Sequence, residues 1–134
     1  MATLHYLSAI AIAGVTSSFT DWFFGGILFH DKYLAYPEVW RQAAGRSETP
    51  AVAWSIVLGF LTAAAFMAIS VILGVHGYWS LLTLAGLSWL MVPVPLLITN
   101  ALFIKLHPLI VLSHSLGWLA KLAVAAVVGG RLLG

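Results

Sequence analysis

Cysteine is absent from the 134 residues, and charge is scarce, with four Asp/Glu and six Lys/Arg making up 7% of the chain. The first absence excludes disulfides, thiolate metal sites and cysteine nucleophiles. The second excludes a water-soluble domain of this length, whose surface needs far more charge to cover it. A net charge of +2 is also too small an excess to be a nucleic-acid footprint, so no nucleic-acid partner is expected. What fills the chain instead is hydrophobic side chains, 62% of residues, with a mean hydropathy of +1.04. The solvent that suits this composition is the lipid bilayer.

Four stretches are long enough to span, since a hydrocarbon core of ~30 Å takes about 20 helical residues. They cover approximately 4–29, 50–74, 78–104 and 108–130. The expected fold is therefore all-α, a polytopic integral membrane protein with one domain of four transmembrane helices. The start MATLHYLSAI has no basic n-region, so the first stretch is expected to remain as a membrane helix. Thr49-Pro50 and His107-Pro108 place proline at a helix start, and VHG at 75–77 reads as a tight turn.

The one substantial loop is residues 30–49. Within it, PEVWRQAAG reads as a short interfacial helix, with Tyr33, Tyr36 and Trp40 as headgroup-level anchors. Lys32, Arg41 and Arg46 lie in this loop, and Lys105 in the next loop on the same side. The opposite side carries Arg131 and the N-terminal amine. By the positive-inside rule the loop is cytoplasmic and both termini are outside.

SIVLGFLTAAA (55–65) and SHSLGWLAKLA (113–123) match at serine, leucine, glycine and alanine positions, and Phe60 aligns with Trp118. Thr20-Asp21 and Thr99-Asn100 form a second matching pair, each followed by a histidine beyond the helix end, His30 and His107. These suggest two duplicated helical hairpins. Lys121 then stands where the other half has Ala63, and Asp21 where it has Asn100, so the charges distinguish the halves.

Ionisable side chains at membrane depth are functional candidates by default. Counting the helical rise from the cytoplasmic ends, Asp21 lies about 13 Å in and Lys121 about 20 Å in. Helical side chains lean toward their own N-terminus, so the two converge if helices one and four are neighbours. Pro93 and Pro95 break helix three at roughly 15–18 Å by the same rise, freeing carbonyls near Trp89 and Met91 that Lys121 could meet. Asn100 and His114 lie nearer the surface and lean toward each other. The candidate ligand- or proton-binding seam is thus Asp21, Lys121, His114 and Asn100, with Thr20 and Thr99 beside it. An ion pair that merely fixes helix register is the structural alternative. His30, Asp31 and His107 are weak metal candidates of unspecific spacing, so no metal is expected. No cofactor motif is present.

DWFFGGILFHDKY followed by PEVWRQAAG, and later LLITNALFIKLHPLIVLSHSLGW, resembles the small bacterial membrane proteins of the domain-of-unknown-function 1761 family. The likeness covers most of the chain. It implies a four-helix fold in a bacterial inner membrane and transfers no catalytic residue.

The leading functional expectation is a homo-oligomeric unit that binds or translocates a proton or small polar ligand along the Asp/Lys/His seam. The alternative is an accessory or scaffold subunit of a larger membrane complex. A lipid- or quinone-modifying enzyme using His114 or Asp21 as acid/base is the third, and no nucleophile or metal motif favours it.

Overall fold

A computed structural model of the chain describes residues 2–35 and 47–133. Those residues are helical almost throughout and include no strand. Helix α1 (Ala2–Asp21) continues into a π-helical segment (Trp22–Leu28), and α2 (His30–Leu34) follows as a short turn-back. Then come α3 (Thr49–Ile72), α4 (Tyr78–Met91), α5 (Pro93–Phe103) and α6 (Pro108–Leu132).

Among the described residues four helical spans, Thr3–Leu28, Thr49–Ile72, Tyr78–Phe103 and Pro108–Leu132, are long and apolar enough to cross a bilayer. Their outer faces need one: Ile72, Trp79 and Phe103 are 81, 77 and 85% exposed, a surface stable only against hydrocarbon. Hydroxyls within the spans are accommodated by bonding back to their own helix. Thr16, Ser18 and Thr62 each donate to the carbonyl four residues earlier, at 2.8–3.1 Å.

Helix boundaries follow local chemistry. The third span is interrupted at Val92 (φ −121°, ψ −66°), the residue before Pro93. Pro95 does not break the helix, contrary to expectation. Both prolines sit in the first turn of α5, where a missing N–H has no intrahelical partner to lose. The 73–77 turn needs two glycines at positive φ, Gly74 (63°) and Gly77 (85°). His107 caps α6, its Nδ1 accepting from the Leu109 N–H at 3.1 Å.

The first two spans pack together, as do the last two. Between these pairs, α6 lies against both α1 and α3 and so occupies the centre. The buried core is Ala9 and Ala13 of α1, Ala63, Phe66 and Met67 of α3, Leu81 and Ala85 of α4, and Leu122, Ala125 and Ala126 of α6. All belong to the half remote from the loops at 29–48 and 104–107. Small residues allow close approach there: a Cβ on Gly130 would come within 3.0 Å of the Tyr78 Cα. In the loop-side half, α3 departs from the others. From Thr49 to Leu58 every residue except half-buried Ser55 is exposed.

Candidate functional site: a cleft between α1, α3 and α6

The divergence of α3 opens a cleft of about 1060 Å³. Its mouth is marked by His30, Glu48 and Ala51, and its inner end by Val15, Phe60 and Lys121. Along α3 this is a depth of roughly 16 Å from Thr49 to Phe60 at the helical rise.

Each wall is placed by helical periodicity. On α6, His114, Gly117, Trp118 and Lys121 follow at i, i+3, i+4 and i+7 and fall on one face. On α3, Val52, Ser55 and Ile56 form the facing stripe, and on α1 Val15, Ser18 and Phe19 lead to Asp21 and Trp22. The lining surface is mainly apolar, with polar groups that include Asp21–Lys121 and Tyr33, Ser113 and His114, an arrangement suited to a small-molecule site.

At the inner end Lys121 Nζ lies 2.6 Å from Asp21 Oδ2. The ammonium also stands 5.1 Å over the Trp118 ring. The carboxylate rests beside α6 at Gly117, where an added Cβ would lie 3.8 Å from Asp21 Oδ1, an ordinary contact. The lysine is the more enclosed partner, at 12% side-chain exposure against 28% for the aspartate. Both partners line the cleft, the carboxylate with the larger exposed share.

Nearer the mouth, a hydrogen-bonded chain joins three elements. Tyr33 of α2 is buried, its hydroxyl 3.2 Å from both Ser113 Oγ and His114 Nε2. Ser113 donates to the Phe24 carbonyl at 3.4 Å, so it accepts from Tyr33. The Tyr33–His114 contact can run in either direction, according to which imidazole nitrogen carries the proton. Burial pushes the Tyr33 phenol above its ordinary pKa, against a smaller opposing effect of the Ser113 bond. It stays protonated. The chain ends on the π-helix, where Phe24 O also takes the Phe29 N–H at 3.0 Å, the i→i+5 bond of that winding.

The structure brings Asp21, Lys121 and His114 to one cleft, and Thr20 turns its hydroxyl to the Ser17 carbonyl at 2.8 Å. It does not bring Asn100 to His114. No hydrogen bond joins them, and His114 Nε2 lies instead 3.2 Å from the Tyr33 hydroxyl. Nor does Lys121 meet carbonyls freed at the proline break. The donor found on that stretch is Trp89 itself, whose Nε1–H bonds the Ser115 carbonyl of α6 at 2.9 Å. Thr99 is exposed on α5. Tyr33 is not a headgroup anchor but a buried strut, since α2 folds back onto α6 and carries the ring inward. Tyr36, Trp40 and the expected 37–45 interfacial helix lie outside the described residues.

Among the described residues no three His/Cys/Asp/Glu side chains converge to hold a metal ion. Asp31 is instead paired with Lys32 at 2.8 Å, and hydrogen bonding to that ammonium lowers its carboxyl pKa. His107 serves as the α6 cap.

The chain matches no family model, no curated protein and no solved structure.

Proposed function

We propose that this protein is a ligand-binding membrane unit of the translocating kind. Its cleft takes a small amphipathic molecule whose polar end meets Asp21 and the His114–Tyr33 pair. The observation that supports this reading is the asymmetric packing of the bundle. The half remote from the loops is closed by a continuous alanine-rich core, while the loop-side half holds a cleft with an ion pair at its inner end. A unit that exposes a midplane site to one side and is sealed on the other has the form alternating access requires. The ion pair lies where the two halves meet.

With Lys32 and Lys105 on the loop side, that side is assigned to the cytoplasm of a bacterial inner membrane. The exposed stripe of α3 leaves the cleft open along one wall, and a second copy of the chain completes it in this reading. The kinship with the domain-of-unknown-function 1761 family belongs to the same proposal and contributes the fold alone. An accessory-subunit role is the competing reading, in which a foreign chain covers that stripe of α3.

The absence of cysteine makes a direct test simple. In oriented vesicles, Ser18→Cys on the cleft wall and Leu61→Cys on an outward face are exposed to a membrane-impermeant thiol reagent added on the loop side. A thiol reacts as thiolate, which forms in water and not in hydrocarbon, so Ser18→Cys is expected to react at least about tenfold faster. Equal rates would mean that water does not reach the cleft, and the translocation reading fails.

A further inference from the structure

We propose that the cleft selects a lipophilic cation, an ammonium or related onium centre carried on an apolar or aromatic body. This rests on the reading of the cleft as a ligand site and names the class of ligand it takes.

Three observations carry the inference. The first is the sign of the accessible charge. The described lining residues include two carboxylates, Asp21 and Glu48, against one ammonium, Lys121. That ammonium is also the less exposed member of its pair, at 12% side-chain exposure against 28% for Asp21. An anion in the cleft faces two carboxylates, the more exposed member of the ion pair among them, and a like charge in a low-dielectric site is strongly disfavoured. A cation meets Glu48 at the rim and Asp21 at the inner end.

Second is the state of the Asp21 carboxylate. Oδ2 is held by Lys121 at 2.6 Å, and among the described residues no other group donates to the carboxyl. A carboxylate has about four acceptor directions. Lys121 thus positions the group and partly compensates its desolvation while leaving acceptor capacity for an incoming donor or positive centre.

The third is the aromatic wall. Phe19, Trp22, Phe60 and Trp118 are among the residues lining the cleft. Trp118 already supports a cation, its ring 5.1 Å from Lys121 Nζ. Ring faces attract ammonium and onium centres, most strongly where water is scarce, and they also accept the apolar body. A compact, strongly hydrated inorganic cation gains little from such walls, so the selectivity is for poorly hydrated organic cations.

The test is equilibrium binding of radiolabelled tetraphenylphosphonium to the purified protein in mild detergent, with tetraphenylborate as a shape-matched anion and protein-free micelles subtracted. Two variants frame it. Ser55→Trp fills the cleft from the splayed half of α3. Asp21→Asn/Lys121→Met removes both charges together, so that neither is left unpaired to unfold the bundle. The expected result is saturable phosphonium binding to the wild type, lost in Ser55→Trp, weakened at least about tenfold in the double variant, and not displaced by the borate. If the borate binds as tightly, or the double variant keeps its phosphonium affinity, the cation assignment is overturned. Loss in Ser55→Trp would then still mark the cleft as a ligand site. If neither ion binds the wild type better than Ser55→Trp, the cation assignment and the ligand-site reading fall together.

Discussion

Gly14→Ala is expected to lower stability by about 1–3 kcal/mol, the usual cost of forcing one extra carbon into a packed interface, and to abolish ligand binding. The added Cβ would overlap the Phe60 ring, with Cε1 and Cγ both at 2.7 Å. Because the Cγ at the root of the ring is among the colliding atoms, a small tilt does not relieve the clash. The ring must swing as a whole, and the open space beside it is the cleft. Gly59→Ala is the matched control on the same helix pair. A Cβ there meets the Gly14 carbonyl and Ser17 Cβ at 3.8 Å, which is ordinary contact, and its effect on binding is expected to be small. Thermal unfolding and ligand titration of the two variants check both parts. Equal behaviour would show that Phe60 does not form the cleft wall in the way described.

The ion pair gives the second large effect. Asp21→Asn leaves Lys121 enclosed without its counter-charge, and Lys121→Met leaves the carboxylate at membrane depth without its own. Breaking a buried pair costs about 3–5 kcal/mol, and the partial exposure of Asp21 places these variants near the lower figure. Removing both partners is much milder, because no charge then remains to be compensated. Unfolding free energies of the wild type, both single variants and the double variant should therefore show strong coupling. Additive losses would mean that the two charges do not depend on each other.

The all-α class and the four spans were legible because membrane helices are written as long apolar runs, a signal that survives without any knowledge of neighbours. The Asp21–Lys121 contact was legible for a related reason. Depth counting and the lean of helical side chains place two lone charges at compatible heights, and hydrocarbon leaves them few other partners. Asn100 misled the same reasoning, since depth says nothing about azimuth, and α5 does not bring that side chain to His114. Tyr33 misled it differently. An aromatic just past a span resembles a headgroup anchor, and only the π-helical winding of Trp22–Leu28 followed by the α2 turn-back carries it inward. The short-range sequence around Gly25 and Gly26 gave no sign of that winding. The α6 wall could have been found, because His114, Gly117, Trp118 and Lys121 already have one-face spacing in the sequence. Its meaning required the facing wall, and the departure of α3 from the bundle is a tertiary property that no local pattern encodes.

The most direct test of the cleft as a ligand site is native mass spectrometry of the protein gently extracted from its own membrane, with wild type and Ser55→Trp compared side by side. The wild type should carry a non-covalent small-molecule mass above a whole-number multiple of its 14.4 kDa chain, and the filled-cleft variant should lack it. Identical spectra for the two proteins, or a stoichiometric foreign chain in place of the small molecule, would contradict it.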